Sequence, residues 1–101
     1  MLMYKALIFL KKTNEEKVIN HFKEFTLKYL SEIAGKEIKA AAVESNLLLE
    51  EKYSYYCELE ADSKDHMDKL MNSRAGKELN KDMMEFHPFI TVIYVNYNKS
   101  L

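Results

Sequence analysis

The sequence predicts an α+β domain with the element order βαββαβ, in which a four-stranded antiparallel sheet carries both helical regions on one face. Three observations support this fold class. Four segments alternate in the manner of β-strands, apolar residues recur at helical spacing in the two segments between them, and 101 residues suit one domain. Two right-handed βαβ crossovers in so short a chain give the ferredoxin-like arrangement. We expect residues 1–101 to form a single domain.

The first strand is predicted over residues 3–10. Its two faces consist of Tyr4, Ala6, Ile8 and Leu10 on one side and of Lys5, Leu7 and Phe9 on the other. Both faces are mostly apolar, and a strand of this kind is normally covered on both sides. We therefore expect helices to cover one face of the sheet and another surface to cover the other.

The first helical region is predicted over residues 15–34. Its apolar stripe consists of Val18, Ile19, Phe22, Phe25, Thr26, Tyr29, Leu30 and Ile33. Thr13 and Glu16 have the spacing of a capping box, in which the hydroxyl accepts a backbone N–H and the carboxylate reaches back. Gly35 stands where a left-handed residue commonly ends a helix. These signals predict both ends of the helix.

The second and third strands are predicted over residues 38–45 and 53–61. The alanines of the earlier segment also suit a helix, but a helix has just ended at Gly35, which favours a strand. The third strand has Tyr53, Tyr55, Cys57 and Leu59 on one face and Ser54, Tyr56, Glu58 and Glu60 on the other. The leucines at positions 47–49 are unusual for an exposed loop, and we interpret them as a contact with another surface.

The second helical region is predicted to begin at a cap formed by Asp62 or Ser63 and to break at residues 74–76. Its apolar stripe consists of Met67, Leu70, Met71, Leu79, Met83, Met84 and Phe86. Pro88 has no backbone N–H and suits the first position of the last strand, which is predicted over residues 89–97. Alternation gives that strand one face with Phe89, Thr91, Ile93, Val95 and Tyr97 and another with Ile90, Val92, Tyr94 and Asn96.

The composition argues against nucleic acid as a partner. Lys and Arg number 15 against 16 Asp and Glu, so no surplus of positive charge is available to neutralise phosphates. The aromatic third strand superficially resembles an RNA-binding strand, but Glu58 and Glu60 would repel phosphates there. The 48% hydrophobic and 31% charged residues are typical of a soluble globular protein.

The cysteine and glycine content predicts a cytoplasmic protein without a metal or another cofactor. Cys57 is the single cysteine, so no internal disulfide can form, and the histidines are too scattered for a metal site. Two glycines are too few for a glycine-rich phosphate loop. The apolar run at the N-terminus is too short to span a membrane, and we interpret it as a buried strand.

The sheet face away from the helices is expected to be apolar and to need a partner. Depending on the strand register, it carries Leu7, Phe9, Ala41, Val43, Tyr56, Glu58, Val92 and Tyr94. A monomer that exposed such a patch would tend to associate. A second identical subunit is the favoured cover, because the chain has no length to spare for a covering domain.

Residues 63–97 resemble the dimeric α+β barrel superfamily, and within it the EthD-like branch. The resemblance rests on Ser73 and Gly76 near the helix break and on Asp82 and Phe86 before the last strand. It implies a homodimer whose two sheets form a barrel with room for one small, largely apolar organic ligand per subunit. The superfamily includes cofactor-independent monooxygenases, isomerases and lyases, and the resemblance leaves open whether this chain is an enzyme.

Tyr56, Glu58 and Tyr94 are the main candidates for the lining of such a barrel. A carboxylate beneath a partner sheet would have a raised pKa and could act as an acid or base, and the two phenols could hold a carbonyl or phenolic ligand. The alternative is that Glu58 pairs with Lys5 or Lys39 and that the tyrosines fill the dimer core. In that case the chain is a structural dimer with a closed interior.

Other polar residues give weaker signals. His87, before Pro88, is a candidate general base, or simply a polar residue at a strand entrance. Arg74 is a candidate for the pocket mouth. Asp82 is expected to bond nearby backbone N–H groups or Arg74, whereas His21, like His66, is expected to be exposed to solvent.

Overall fold

A computed structural model describes residues 2–44 and 52–99 and shows four antiparallel strands with helices against one face. The strands are β1 (Tyr4–Lys11), β2 (Ala41–Ala42), β3 (Tyr53–Ala61) and β4 (Ile90–Asn96), in the spatial order β2-β3-β1-β4. The helices are α1 (Glu16–His21), α2 (Leu27–Ala34), α3 (Lys64–Met71) and α4 (Arg74–Glu85). This arrangement confirms the predicted α+β, ferredoxin-like fold.

β1 lies in the middle of the sheet and anchors the core. Ala6, Ile8 and Leu10 are buried towards the helices. They lie opposite alternate residues of β3, with Ala6 paired to Leu59 and Ile8 to Cys57. The buried core is completed by Val18, Phe22, Leu30, Ile33, Ala61, Met67 and Leu79. The predicted faces of β1 are confirmed.

The helical run from residue 16 to residue 34 is continuous but not uniform. Phe22–Thr26 forms a π-helical turn between α1 and α2, a feature that is frequent at functional sites. The predicted capping box is wrong, because the Thr13 hydroxyl accepts the N–H of Glu15 at 3.1 Å and Glu15 occupies the cap position without a side-chain bond. Gly35, with φ of 68°, ends α2 in the left-handed conformation, as predicted.

α3 and α4 are separated by a break that is centred on Ser73. The Ser73 hydroxyl accepts the N–H of Gly76 at 3.1 Å and caps α4, as Ser63 caps α3 through the N–H of His66. A Cβ at Gly76 would lie 2.4 Å from the carbonyl oxygens of Leu70 and Met71. The break is therefore confirmed, slightly earlier than predicted, and its glycine allows the two helices to meet closely.

β2 is much shorter than the predicted strand over residues 38–45. The N–H of Ile38 donates to the Ser31 hydroxyl at 2.9 Å, which ties this segment to α2 instead of to β3. Among residues 38–44, the described part of this segment, only Ala41 and Ala42 are paired with β3 in the sheet, and Val43 adds one backbone bond to Ser54. Residues 47–49, where we predicted an apolar contact, lie outside the described residues.

A β-bulge shifts the start of β3. Leu10 pairs with Tyr55 but Lys11 pairs with Tyr53, so Ser54 is the extra residue. The bulge moves Tyr53 to the side of Phe9, and the two ring centroids lie 4.8 Å apart. The prediction that Tyr53 shares a face with Cys57 is therefore wrong.

The last strand begins one residue later than predicted. Pro88 lies in a 3-10 turn, His87–Phe89, and β4 starts at Ile90. Within the described residues, no helix is both long enough and apolar enough to cross a bilayer.

Candidate functional site

The sheet face away from the helices, here called the open face, is a mixed apolar and polar surface. The strand register and side-chain alternation place on it Lys5, Leu7, Phe9, Ala41, Tyr56, Glu58, Glu60, Thr91, Ile93 and Val95, and the bulge adds Tyr53. None of the helices described between residues 2 and 99 covers this surface. The side chain of Ile93 is 45% exposed.

Tyr94 does not lie on the open face. Ala6 pairs with Tyr94 and Leu7 pairs with Ile93, so Tyr94 shares the helix side of the sheet with Ala6. Its ring packs against Tyr4 with centroids 6.0 Å apart, and burial raises its pKa. The predicted grouping of Tyr56, Glu58 and Tyr94 is therefore wrong in its third member, because a shift of one residue moves a strand side chain to the other face.

Four side chains, Lys5, Tyr56, Glu58 and Glu60, form a polar cluster at one end of the open face. The Lys5 ammonium lies 3.0 Å from a Glu58 carboxylate oxygen and 3.6 Å from Glu60. The Tyr56 hydroxyl donates to the other oxygen of Glu58. Lys5 also lies over the Tyr97 ring, with its nitrogen 5.6 Å from the ring centroid. The predicted pairing of Glu58 with Lys5 is confirmed.

These contacts set the charge states at the site. The hydrogen bond from Tyr56, together with the Lys5 ammonium, holds the pKa of Glu58 below its ordinary range. Burial and the bond to Glu58 raise the pKa of Tyr56. In the single chain the pKa of Glu58 is therefore lowered, and the raised pKa that we expect beneath a partner sheet stays a prediction. Glu58 is an ionised acceptor, and Tyr56 is a neutral donor.

An aromatic row continues the open face away from the polar cluster. Phe9 contacts Tyr56 on one side, with ring centroids 5.0 Å apart, and Tyr53 on the other at 4.8 Å. Lys11 pairs with Tyr53 at the end of this row. Tilted ring pairs at these distances are favourable contacts, so the row is a preformed apolar surface beside Glu58.

A cleft of about 690 Å³ runs along the free edge of β3. It exists because the chain after Gly35 first follows α2 and does not pair with β3 until Ala41. Its lining includes Ile33, Ile38, Tyr56, Cys57, Glu58 and Leu70. Burial raises the pKa of the Cys57 thiol to about 12, which leaves it unreactive. Among the residues placed in the structure, no group of acidic, histidine or cysteine side chains could hold a metal ion.

His87 and Arg74 are not brought to this cleft. His87 is exposed on the 3-10 turn, with Nδ1 3.0 Å from the Met84 carbonyl oxygen. Arg74 is the exposed first residue of α4. Neither residue lines the cleft beside β3, so Tyr56 and Glu58 are the two candidates that the structure places together.

A second polar constellation, which the sequence did not predict, joins the helices. Asp82 is only 7% exposed; its carboxylate accepts the Thr26 hydroxyl at 2.7 Å and bonds to the His21 ring. Phe86, one turn after Asp82, stacks on the same ring with centroids 4.0 Å apart. The predictions of an exposed His21 and of an Asp82 bonded to Arg74 or to backbone N–H groups are wrong.

The π-helical turn explains why this constellation was missed. Residues five apart in an α-helix point in different directions, since each residue advances about 100°. The wider turn over residues 22–26 brings His21 and Thr26 to the same carboxylate. The Asp-x-x-x-Phe spacing at 82–86 was the sequence feature that could have indicated this constellation, because both residues contact His21.

Comparisons with known proteins add evidence on the fold. No family model and no curated protein matches the chain. The structure is similar to that of an EthD (ethyl tert-butyl ether D) family protein from Bacillus halodurans, with a TM-score of 0.77 and 18% identity over 99% of this chain and 100% of that one. The fold resembles an EthD protein. The expected resemblance is thus confirmed at the level of the fold.

Two further solved structures share the fold less closely. One is a dimeric protein of unknown function with a ferredoxin-like fold from Bacteroides fragilis, with a TM-score of 0.55 and 18% identity over 94% of this chain and 96% of that one. The other is a hypothetical protein from Arabidopsis thaliana, with a TM-score of 0.56 and 18% identity over 99% and 90% of the two chains.

Proposed function

We propose that this chain forms a homodimer through the open face of its sheet, and that the dimer binds a small, largely apolar organic molecule beside Tyr56 and Glu58. The observation that carries the proposal is the open face itself. Leu7 and Phe9 lie on the inner strand β1, Ile93 lies beside Leu7 on the edge strand β4, and no described helix covers them. Large contiguous apolar patches on soluble proteins commonly mark association sites.

A second copy of the chain is the favoured cover. The similar protein from Bacteroides fragilis is described as dimeric, and an antiparallel sheet with one bare apolar face can pack against its twin. Glu58 and Glu60 on the open face would repel phosphates, which supports a protein partner rather than nucleic acid. The buried Cys57 thiol suits a reducing, cytoplasmic setting.

The cleft along β3 is the proposed ligand site. Its volume of about 690 Å³ lies within the range of about 300–1,000 Å³ that is usual for small-molecule pockets. The Tyr56 ring, which packs against Phe9, supplies apolar contact area in its lining, and the ionised Glu58 can accept a hydrogen bond from a ligand O–H or N–H. In the dimer, the partner sheet would close the open side of this site.

A structural dimer with a filled interior is the second candidate. It is favoured by the polar cluster, in which Lys5, Tyr56 and Glu58 already satisfy one another. Such a cluster needs no ligand, and two copies packed face to face could close the interior completely. This candidate shares the dimer of the first proposal and differs only in the absence of a ligand.

Two measurements test these proposals in turn. Sedimentation velocity of the wild-type chain is expected to give the mass of two chains, and a stable monomer would overturn both candidates. A fragment screen by ligand-observed NMR is then expected to yield aromatic hits that Glu58→Gln weakens and Glu85→Gln does not. A crystal structure of the dimer with a closed interior, together with an empty screen, would instead support the structural dimer.

A confirmed ligand also allows the question of catalysis to be tested. The ligand is incubated with the protein in air and under nitrogen, and the products are analysed by mass spectrometry. Oxygen-dependent turnover would make the chain an enzyme of the cofactor-independent monooxygenase kind. An unchanged ligand would restrict its role to binding.

A further inference from the structure

We propose that a second cavity, on the helix side of the sheet, binds a small monocarboxylate with an apolar body. The cavity has a volume of about 490 Å³, which lies within the range of about 300–1,000 Å³ that is usual for small-molecule sites. Among the residues that the structure describes, its lining has residues 37–39 in common with the cleft along β3. The inference goes beyond the proposed function, because it depends neither on the dimer nor on the ligand of that cleft.

The cavity lies between the first helical run and the chain segment that leads into β2. On one side, the π-helical turn contributes residues 22–24 to the lining. On the other side, the Ser31 hydroxyl accepts the N–H of Ile38 at 2.9 Å and donates to the Leu27 carbonyl oxygen at 2.8 Å. These two bonds hold the segment beside the helix, so both walls of the cavity are fixed before any ligand arrives.

The interior of the cavity is apolar. Phe22, which is only 1% exposed, belongs to the lining. Leu27, Ile38 and Ala40 also line the cavity, and each is partly buried and packs against the core. An aromatic ring or a hydrocarbon chain gains free energy when it leaves water for such a surface. The interior therefore suits the apolar part of a ligand.

The rim of the cavity carries an excess of positive charge. Lys23, Lys28 and Lys39 are exposed lining residues, and none of their ammonium groups forms an ion pair with a carboxylate of residues 2–44 or 52–99. Glu24 and Glu37 are exposed lining residues as well, so three positive charges stand against two negative ones. A surplus of one positive charge complements a ligand with a single negative charge and disfavours a cation.

Lys23 supplies the ammonium group that is best placed to hold a carboxylate. Its Nζ lies 5.5 Å from the centroid of the Tyr55 ring, within the distance of a cation–π contact. Tyr55 lines the cavity and faces the helices, because it pairs with the buried Leu10. An ammonium group and a phenol hydroxyl both donate hydrogen bonds, and a carboxylate accepts them. Two adjacent side chains thus offer donors to one carboxylate beside an apolar interior.

Three probes with different head groups test the charge preference. They are 3-phenylpropionate, 3-phenylpropanol and 3-phenylpropylammonium, which share a phenyl ring and a short chain. Each is titrated at low salt into the wild-type chain, and binding is followed by the NMR shifts of the backbone amides. A ligand of this size is expected to have a dissociation constant on the order of 1–10 mM. We expect the carboxylate to bind about fivefold or more tightly than the other two and to shift the amides of Lys23, Leu27 and Ala40.

Two variants locate the site. Lys23→Gln removes the ammonium group at an exposed position and is expected to weaken binding of 3-phenylpropionate about fivefold, while binding of 3-phenylpropanol stays unchanged. Ala40→Phe fills the cavity and is expected to weaken binding of both probes. Lys77→Gln, at an exposed position of α4, is the control and is expected to affect neither. Circular dichroism checks that each variant is folded.

The contrary outcomes are defined for the wild type and for each variant. A wild-type chain that shows no saturable shifts with 3-phenylpropionate, or that binds the alcohol or the ammonium probe as tightly, overturns the inference. Equal binding by the wild type and Lys23→Gln also overturns it, even if Ala40→Phe does not fold. So do shifts that are confined to the cleft along β3. The sedimentation mass of the chain is measured separately, so the proposed dimer can fail without this inference, and this inference without the dimer.

Discussion

Asp82 joins the two helical regions through a single buried carboxylate. It accepts the hydroxyl of Thr26, which is fully buried, and bonds to His21, which is held between the rings of Phe25 and Phe86. A buried hydroxyl that loses its only partner costs about 1–3 kcal/mol. At the residue scale, this carboxylate therefore explains how the hydroxyl of Thr26 can be buried in an apolar interface between helices.

The variant Asp82→Ala is expected to lower the free energy of unfolding by about 1–3 kcal/mol, because it leaves Thr26 and His21 without their acceptor. Urea denaturation followed by circular dichroism measures the change. Glu85→Ala, which removes an exposed carboxylate from the same helix, is the control. A loss no greater than that of the control would show that the constellation contributes nothing to stability.

Glu58 gives stability a defined dependence on pH. Its pKa is lower in the folded chain than its ordinary value of 4.5, so the unfolded state binds the proton more readily. The contribution is therefore present above that value and is lost as the pH falls through the folded pKa. We expect the stability difference between wild type and Glu58→Gln to shrink from neutral pH to pH 3, as measured by urea titrations at equal protein concentration. A difference that grows on acidification would contradict the lowered pKa.

Ser73 and Gly76 together form the joint between α3 and α4. The serine caps α4, and the missing side chain of the glycine leaves room for the carbonyl oxygens of Leu70 and Met71. Both residues belong to the segment whose resemblance to EthD-like proteins was visible in the sequence. At the element scale, this part of the resemblance has a packing explanation and needs no catalytic one.

Gly76→Ala tests this explanation because two effects oppose each other. Alanine favours a helix over glycine by about 1 kcal/mol, but its Cβ would lie 2.4 Å from backbone oxygens that cannot move freely. Overpacking of this kind typically costs about 1–3 kcal/mol, so we expect a lower thermal midpoint. Lys77→Ala at the next, exposed position is the control, and a Gly76→Ala variant more stable than wild type would contradict the close approach.

A strand could be predicted correctly from the sequence where one of its two faces is polar. β3 alternates between buried and charged residues over Cys57–Glu60, and its predicted limits, residues 53–61, are confirmed. β4 is apolar on both faces, so the pattern around Ile93 and Tyr94 could not decide which residue faces the helices. The extent of β2 depended on the bond from Ile38 to Ser31, which no local pattern contains.

The candidate site was predictable in part for the same reason. Tyr56, Glu58 and Lys5 lie on adjacent strands with clear alternation, and their grouping on one face followed from it. The bulge at Ser54, which adds Tyr53 to that face, and the π-helical turn, which brings His21 to Asp82, are departures from regular geometry. Regular periodicity cannot predict either of them.

At the scale of the whole molecule, helices cover one face of the sheet, and no helix within residues 2–44 and 52–99 covers the other. Two exposed apolar side chains distinguish these faces. Ile93 lies on the open face, opposite Leu7 in the edge strand β4, whereas Met84 lies on α4 and is 74% exposed. If the open face is the dimer interface, a charge at position 93 is buried on association and a charge at position 84 is not.

The measurement that tests the central claim most directly is the sedimentation-velocity mass of the wild type, Ile93→Asp and Met84→Asp at equal concentration. Burying an unpaired carboxylate is costly, so we predict that the wild type and Met84→Asp sediment as dimers and that Ile93→Asp sediments as a folded monomer. A wild-type monomer, or an Ile93→Asp dimer as tight as wild type, would contradict association through the open face.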